Sequence, residues 1–446
     1  MSPDDCPNHF TGHILLRIPH DRAYVATGPS GAQSASCFKV ILWLEMLQIF
    51  YILVCQQILQ GLYSLWNGFA WLGMVRRRLA THAGFYNPKV ALICPCKGAD
   101  AGLDATLMCL THFDYPNYEI FFAVASVNDP AMKAIERIKA STQRKINVVI
   151  AGPPLGRGEK VNNLSKVIDQ LDEAFEVIVF TDADTLPSRG WLIKLITPLG
   201  DPRIGAATTY RWLLPMRAPK KSALASALGS VWNASIATML GDHAQNFCWG
   251  GGTAIRRMTF LEIGADNFWR GAVADDLALT NAVRGAGMPI VFVPECITPT
   301  PYAATFSELV EFTNRQIILT RVYSPKIWLS GAIAHFSYVI TFLTALAITF
   351  SKFVSGDPWI SLAVFTLLIP LLAAMKGALR TIAITELLPK WKVKMHEWSW
   401  SWTALAPVVP FLFFWNFCVS LATRQIRWRG LRYRLVSMNQ TDILRP

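Results

Sequence analysis

The sequence has few charged residues for its length. Only 16% of its 446 residues are Asp, Glu, Lys or Arg, whereas 52% are hydrophobic and the mean hydropathy is +0.31. This composition excludes an ordinary soluble enzyme, and the length excludes one small domain. Acidic residues are fewer than basic ones: the chain has 30 Asp and Glu and 42 Lys and Arg, which gives a formal net charge of +12. The balance favours anionic partners, either a lipid surface or a nucleotide.

Three patterns that would indicate other functions are also missing. The nine cysteines form no Cys-x-x-Cys or Cys/His zinc spacing, so we interpret them as reduced thiols that face the cytosol and pack as small apolar side chains. No block of Lys and Arg lies beside stacking aromatics in a polar segment, which disfavours nucleic acid as a partner. No Gly-x-Gly-x-x-Gly follows the first predicted strand, which disfavours a dinucleotide-binding Rossmann domain.

An apolar segment lies near the beginning of the chain. Residues 1–37 are unpatterned, and we interpret them as a loose leader. Residues 38–75 are long enough for the roughly 20 apolar residues that cross a bilayer. They carry several Gln side chains, so we expect this N-terminal membrane segment to pack against other helices. Arg76, Arg77 and Arg78 follow, and the positive-inside rule places the residues after them in the cytosol.

Three apolar runs occupy the last part of the chain, at 328–350, 359–375 and 403–423. They predict C-terminal membrane helices within residues 326–424, followed by a basic tail of cytosolic type at 425–446. Three crossings after a cytosolic domain would leave this tail outside, against the positive-inside rule. Either the tail is an exception or one run is re-entrant. Prolines that interrupt helix favour a re-entrant or interfacial segment near 378–410.

Residues 76–325 have the pattern of a cytosolic α/β domain. Short apolar strands are predicted at 90–94, 119–125, 146–151 and 176–181, and helices at 103–112, 130–142 and 161–172. This alternation predicts a parallel, doubly wound sheet. Because ligands bind outside the carboxyl ends of strands in such sheets, we expect functional residues at those ends.

The fourth predicted strand runs directly into two acids, in the segment EVIVFTDAD at 176–184. Side chains alternate along extended backbone, so Asp182 and Asp184 point the same way. Two such carboxylates make an oxygen site for Mg²⁺ or Mn²⁺, which can hold the pyrophosphate of a nucleotide. The alternative is an acidic turn that caps the next helix.

Three further clusters follow strand ends or open helices. Lys97 lies in a turn after the first strand. This turn either brings backbone close to a nucleotide base or ribose, or has no role in binding. Asp129 either accepts a hydrogen bond from a nucleobase or caps the helix that Pro130 begins. Lys160 lies in GRGEKVNNL at 156–164, where glycines, a cation and a helix N-terminus suit a phosphate, with a solvated loop as the alternative.

Adjacent acids, Asp275 and Asp276, open another predicted helix. Alone they would be interpreted as caps that the helix dipole stabilises. In combination with Asp182 and Asp184 we interpret them as catalytic, with one carboxylate taking the proton of an acceptor hydroxyl as general base.

Two stretches bear on the acceptor. Residues 247–253 combine aromatics with three glycines, which predicts either a wall against the acceptor or a tight turn. Residues 220–240 are apolar behind two lysines, which suits a helix on the membrane surface or the domain's own packing.

These motifs, in this order, resemble the ceramide glucosyltransferases and their bacterial relatives, including the hopanoid-pathway glycosyltransferases. The resemblance covers roughly residues 40–435 and rests on ASVNDPA at 125–131, GEKVNNL at 158–164, TDAD at 181–184, ADD at 274–276 and the basic ending WRGLRYRL at 428–435. It implies an α/β GT-A domain inserted between N-terminal and C-terminal transmembrane helices. It further implies a nucleotide-sugar donor, a divalent metal, and an inverting single displacement at a membrane lipid.

The resemblance also implies roles for individual residues. Asp182 and Asp184 hold the metal and the diphosphate, and Asp276 is the base with Asp275 beside it. Asp129 belongs to the motif on the nucleotide side, where Ser126 stands at a position that is often acidic in the family.

A second departure from the family concerns its Gln/Arg-x-x-Arg-Trp motif. The corresponding region, 314–323, reads NRQIILTRVY, in which the Arg is displaced and the Trp is absent. Arg315, Gln316 and Arg321 are the candidates for contacts with the diphosphate. The departure counts against a processive polysaccharide synthase, which relies on the unaltered motif.

We therefore expect a membrane-embedded enzyme that transfers a hexose, glucose from UDP-glucose, to a lipid hydroxyl such as that of ceramide. The alternatives are an enzyme directed at hopanoids or diacylglycerol, with an N-acetylhexosamine donor, and a processive synthase. An alternative of another class is a transporter with a nucleotide-binding domain. The few ionisable residues within the late apolar runs disfavour it.

Overall fold

The computed structural model describes residues 31–80, 84, 86–100, 102–215 and 220–444, with side chains from residue 45 onward apart from those of 46 and 220. The chain divides into two compact units, Met1–Tyr51 and Ile52–Pro446. The described part of the first unit is helical. Most of the expected leader lies outside the described residues, and helix begins at Gly31, before the expected membrane segment.

The helices of the described residues are α1 (Gly31–Ala80), α2 (Leu103–Leu110), α3 (Ala131–Ser141), α4 (Glu159–Ile168), α5 (Trp191–Ile196), α6 (Ala223–Ala237), α7 (Arg257–Glu262), α8 (Ala265–Trp269), α9 (Asp275–Gly285), α10 (Phe306–Tyr323), α11 (Pro325–Ser355), α12 (Ile360–Leu387), α13 (Lys392–Ala404) and α14 (Val409–Ala422). The strands are β1 (Val90–Pro95), β2 (Tyr118–Val124), β3 (Ile146–Ile150), β4 (Val177–Thr181), β5 (Ala206–Thr208), β6 (Arg211–Leu214), β7 (Gly252–Arg256), β8 (Ile290–Phe292), β9 (Thr298–Pro301), β10 (Gln425–Trp428), β11 (Leu431–Ser437) and β12 (Gln440–Leu444).

A seven-stranded sheet in the order β3-β2-β1-β4-β7-β5-β8 forms the centre of the α/β domain. The predicted strands are confirmed as β1 to β4, which pair in parallel. The sheet as a whole is mixed, however, because β7 runs antiparallel to β4 and β5. The expectation of a parallel sheet was wrong at this strand. The chain re-enters the sheet at its carboxyl edge, where Gly252 pairs with Thr181, so β7 can only run the opposite way to β4.

Both faces of the central sheet are buried. Along β1, Ala91 and Ile93 enter the core on one face, while Leu92 and Cys94 enter the core on the other. Because successive side chains of a strand point to opposite faces, a strand covered by helices on both sides needs an uninterrupted apolar run. This explains why the inner strands lack polar alternation and place their polar residues only at the ends.

The C-terminal residues fold back onto the α/β domain. β10, β11 and β12 form an antiparallel sheet. On β11 the buried Tyr433 and Leu435 alternate with the exposed Arg432 and Arg434, and the buried pair joins the core that also contains α9. The segment expected as a basic tail is thus a folded layer of the domain, whose arginines are its outer face.

Within the part of the chain that the structure describes, three helices are long and apolar enough to cross a membrane: Leu47–Ala80, Pro325–Ser355 and Ile360–Leu387. A further pair, Pro389–Ala404 and Val409–Ala422, is bent by 72° at its break. Glu386 at the end of α12 pairs with Arg76 at 2.7 Å, and the chain after α14 returns to the α/β domain as β10. By length and composition the bent pair is either one broken span or a re-entrant segment, and it overlaps the stretch 378–410 in which a re-entrant or interfacial segment is expected.

Helix α6 belongs to the packing between the domain and the bent pair. The Trp402 indole donates to the Ser230 hydroxyl at 2.8 Å, and the Trp232 indole donates to Asn416 Oδ1 at 3.2 Å. Since most of α6 is buried by these neighbours, its apolar character reflects the domain's own packing, one of the two alternatives for 220–240.

We expect Gly271→Ala to loosen the C-terminal sheet. A Cβ at Gly271 would collide with the backbone carbonyl of Asn439, and the Thr441 hydroxyl donates to the Gly271 carbonyl at 2.7 Å. Such overpacking costs about 1–3 kcal/mol of unfolding free energy. Thermal unfolding and limited proteolysis of the C-terminal sheet would measure it. Gly285→Ala is the matched control, since no atom lies within 4 Å of its added Cβ. Equal responses of the two variants would contradict the docking described above.

Candidate active site

One continuous cavity of about 820 Å³ extends from the carboxyl edge of the central sheet to the apolar helices. Its sheet end is lined by acids, which are Asp100, Glu159, Asp182, Asp184, Asp275 and Asp276. Its other end is lined mainly by apolar side chains of α11, α12 and α14, among them Leu372, Phe413 and Phe417. A single ligand space therefore has one charged end and one apolar end.

Asp182 and Asp184 follow β4 directly and both line the cavity. Asp182 Oδ1 lies 2.7 Å from Lys160 Nζ, and Asp184 Oδ2 lies 3.6 Å from Arg211 Nη1. Burial raises the pKa of Asp184, and the charge of Arg211 opposes that shift. Asp184 Oδ1 is buried without a hydrogen-bond partner, so one carboxylate oxygen remains available to a ligand.

These two carboxylates fit a divalent cation. Among the described residues no group of three or more His, Cys, Asp or Glu side chains is placed to hold a metal ion. An ion at Asp182 and Asp184 would therefore need further oxygen ligands from phosphate and water, as Mg²⁺ commonly has in nucleotide sites. The unpartnered Asp184 Oδ1 is an acceptor atom that such an ion can use.

Lys160 joins the two acidic motifs. It lies in the first turn of α4, with Nζ 2.7 Å from Asp182 Oδ1 and 3.3 Å from Asp275 Oδ2. Burial opposes its charge, but the carboxylates of Asp182, Asp275 and Asp276 raise its pKa. Gly158 sets this position, because an added Cβ there would lie 2.9 Å from Val273 Cα. The helix that carries the lysine can thus approach the segment that carries the second pair of acids.

Asp275 and Asp276 open α9 at the same edge. Asp275 is buried, and burial raises its pKa to about 7 while Lys160 opposes the rise. Burial also raises the pKa of Asp276, whose Oδ2 accepts from the Gly250 N–H at 3.3 Å and whose Oδ1 accepts from the Leu277 N–H at 2.8 Å. A carboxylate of raised pKa, held by backbone donors and open to a cavity, has the chemistry of a general base.

Three of the other predicted donor-side residues line the cavity, namely Lys97, Arg315 and Gln316. Lys97 pairs with Glu159 at 2.8 Å. The Arg315 guanidinium lies over the Trp428 ring at 5.3 Å, and its Nε is buried without a partner. Burial lowers the pKa of Arg315 to about 10, and the charge of Arg211 adds to this effect. Arg315 is thus a cation with unused hydrogen-bonding capacity at the charged end.

Asp129 and Arg321 are not among the residues that line the cavity. Asp129 Oδ1 accepts from the Gly98 N–H at 2.8 Å and the Ala131 N–H at 2.9 Å, so it caps α3 and holds the turn after β1. Arg321 donates to the carbonyls of Ser420 and Leu421 in the last turn of α14. In this geometry both side chains are occupied by contacts within the protein. Asp129 Oδ1 makes the contact expected of a helix cap, and Arg321 satisfies carbonyls that a helix end leaves free.

The sequence analysis missed Arg211 and Arg429, which are among the cations that line the cavity. Arg211 begins β6 and pairs with Asp184, and no motif marked it. Arg429 comes from the C-terminal sheet and pairs with Asp100. It has φ 49° and precedes Gly430 with φ 82°, which is the conformation of a tight two-residue hairpin turn. The Arg-Gly pair between two stretches of alternating polar and apolar residues could have predicted the hairpin turn. It could not have predicted that this turn reaches the cavity.

The C-terminal sheet supplies two further lining residues, Trp428 and Tyr433. The Tyr433 hydroxyl accepts from the backbone N–H of Glu159 at 3.3 Å, next to Lys160. The end of the chain is therefore part of the charged wall.

Comparison with known proteins gives a family match and several structural matches. Residues 49–441 match the family described as glycosyl transferase family 21. The mannosyltransferase PcManGT from Pyrobaculum calidifontis, solved in complex with GDP-Man and Mn²⁺, is 15% identical, with 82% of this chain and 99% of that chain covered and a TM-score of 0.49. Glucosyl-3-phosphoglycerate synthase from Mycobacterium tuberculosis, solved with Mn²⁺ and UDP-glucose, is 14% identical, with 56% and 82% covered and a TM-score of 0.35.

We expect Lys160→Met to destabilise the protein in a pH-dependent way. Removing one partner of a buried ion pair costs about 3–5 kcal/mol. A carboxyl whose pKa rises on folding, such as Asp275 from 3.8 to about 7, binds more protons in the folded state. Stability then falls as the pH rises between these values. The loss of unfolding free energy should accordingly be larger near about pH 8 than near about pH 5.5.

Chemical denaturation at the two pH values measures this difference. Lys97→Met is the matched control, because it removes a partly exposed pair with a single carboxylate. Similar losses at both pH values for Lys160→Met would show that Lys160 does not hold the acids together.

Proposed function

Because the chain belongs to glycosyl transferase family 21, we propose that it transfers a hexose, glucose from UDP-glucose, to the hydroxyl of a membrane lipid such as ceramide. Transfer is an inverting single displacement, and the α/β domain lies on the cytosolic side. The observation that carries the proposal is the single cavity that connects four carboxylates at the sheet edge with apolar helices long enough to cross a membrane. Donor and lipid acceptor can meet only in such a space.

The charged end suits the donor. Asp182 and Asp184 would hold Mg²⁺ or Mn²⁺, which supplies Lewis acidity toward the leaving diphosphate when bound. Arg315, Lys97 and Gln316 line the same end and would donate hydrogen bonds to diphosphate oxygens. The unpartnered Nε of Arg315 supports this role, since a buried donor without a partner is otherwise costly.

The apolar end suits the acceptor. Trp249 and Phe247 line the cavity between the acids and the helices, as expected of an acceptor wall in 247–253. Phe413 and Phe417 continue this apolar surface along α14. A lipid whose chains lie among the helices would thus present its hydroxyl to Asp276.

Asp276 is the proposed base. Its carboxylate is held by the N–H groups of Gly250 and Leu277, so it can take the hydroxyl proton without losing its orientation. Asp275 is paired with Lys160 and lies deeper, which suits it to orient Lys160 rather than to receive the proton. Inversion follows because the hydroxyl attacks the anomeric carbon once, opposite the diphosphate.

Purified protein in detergent, offered UDP-sugars with ceramide, a hopanoid or diacylglycerol, tests the proposal by mass spectrometry of the products. Glucosylated ceramide is the expected product. Transfer to the hopanoid or diacylglycerol, or from a UDP-N-acetylhexosamine, would replace the proposed substrates but keep the reaction. Donor binding without any acceptor-dependent product would contradict the reaction and favour a transporter.

Transfer should depend on a divalent metal. Excess chelator, or Asp182→Asn or Asp184→Asn, should reduce turnover to background, because the diphosphate charge is no longer compensated. Restoration by Mg²⁺ or Mn²⁺ in the parent protein is the positive control, and Asp104→Asn, an exposed carboxylate on α2, is the matched substitution. Full activity in chelator would remove the metal from the proposal.

The two adjacent acids should differ in their effect on rate. Asp276→Asn should lower transfer by roughly 10²–10⁴-fold, because an amide cannot take the proton. Asp275→Asn should be milder, and both variants should keep their affinity for UDP, since other residues hold the diphosphate. Steady-state rates and UDP binding by calorimetry measure these effects. If Asp275→Asn is inactive while Asp276→Asn transfers normally, the base is Asp275, and two active variants would leave this motif without a catalytic role.

A further inference from the structure

Two cations lie at the apolar end of the cavity. Lys376 and Arg380 both line it, four residues apart on α12, so they lie on one face of that helix. Glu386, near the end of α12, lies about 15 Å further along the helix from Lys376 at 1.5 Å per residue. Both cations therefore lie more than one helical turn before the end of α12.

Neither cation has an acidic partner among the described residues. Lys376 donates to the Ser64 hydroxyl at 2.7 Å, and Arg380 donates to the Ser235 hydroxyl at 3.1 Å. Arg380 is only 9% exposed, and its Nε is buried without any hydrogen-bond partner. All acids that line the cavity belong to the other end, so nothing in the described cavity wall neutralises these two charges.

The packing of α12 fixes this orientation. A Cβ at Gly377, between the two cations, would collide with the backbone carbonyl of Trp402 on α13. The two helices therefore touch next to Arg380, and this close contact fixes the rotation of α12 and with it the positions of Lys376 and Arg380. Charged groups within membrane helices are costly unless they pair or face a ligand path.

We propose that Lys376 and Arg380 bind the anionic headgroup of a membrane lipid, with its chains among the apolar helices. A guanidinium and an ammonium on one helix face suit the oxygens of a phosphate. The apolar lining beside them, including Leu372 and Phe413, suits acyl chains rather than a free anion. The site lies apart from the charged donor end and shares the apolar lining at Phe413 with the proposed acceptor, and it rests on the proposed function in taking these helices as membrane-embedded.

The test compares two lipids that differ only in the phosphate. Photoactivatable phosphatidic acid in neutral detergent is bound to the full-length protein, and unlabelled phosphatidic acid, diacylglycerol of the same chains and inorganic phosphate compete with it. Because hydrogen bonds to charged groups contribute more than neutral ones, we expect phosphatidic acid to compete roughly tenfold or more better than diacylglycerol. Equal competition by diacylglycerol, or by inorganic phosphate, would overturn the proposal.

Variants locate the site. The double variant of Lys376→Gln with Arg380→Gln should lose the preference for phosphatidic acid, and Lys376→Arg should keep it. Lys392→Gln, an exposed lysine at the start of α13, is the matched control for lost charge and should behave like the parent. Retained preference in the double variant would overturn the assignment, and the comparison in the parent protein stands even if that variant does not fold.

This binding measurement is independent of sugar transfer. A preference for phosphatidic acid in a protein that transfers no hexose would keep this inference and remove the proposed reaction. Transfer of hexose to a neutral lipid by a protein without a preference for phosphatidic acid would keep the proposed reaction and remove this inference.

Discussion

Four carboxylates meet at one partly enclosed edge of the sheet, and their mutual repulsion is the constraint on which the site depends. Lys160 meets it by contacting Asp182 and Asp275 together, within 2.7 and 3.3 Å. Gly158 before α4 and Gly250 before β7 allow the segments that carry these groups to approach. A Cβ at Gly158 would collide with the backbone just before α9, and a Cβ at Gly250 would collide with Lys160 and Asp275. Like charges held by a single lysine can accept further positive charge, which a divalent metal ion would supply to both the carboxylates and the anionic diphosphate of a donor.

The remainder of the charged wall comes from parts of the chain that are distant in sequence. Arg211 precedes the buried helix α6, and Arg429 follows the last apolar helix. The antiparallel C-terminal sheet reaches the cavity because α13 and α14 form a bent pair that returns the chain to the α/β domain. The apolar helices thus contribute to the site in two ways. They line its apolar end, and they bring the basic C-terminal residues back to its charged end.

Charge is segregated along the cavity. Acids with their arginines and lysines occupy the sheet end, an apolar surface follows, and two cations without acidic partners among the described residues lie between the helices. In the proposed function, this order would direct an anionic donor to one end of the cavity and an amphipathic acceptor to the other. Electrostatics and burial would then orient both substrates.

The sequence by itself determined the local features of the protein. Apolar runs with polar ends predicted β1 to β4, and the motifs around Asp182 and Asp276 carried the resemblance to a glycosyltransferase family, which the family match confirms. These features depend on the alternation of side chains along a strand or on residues that are neighbours in the sequence. Only the tertiary structure decided the antiparallel course of β7, the contact of Asp129 with the turn after β1 and the arrival of Arg429 at the cavity. Each depends on contacts between segments far apart in the chain, and one sequence carries no record of which distant segments pack together.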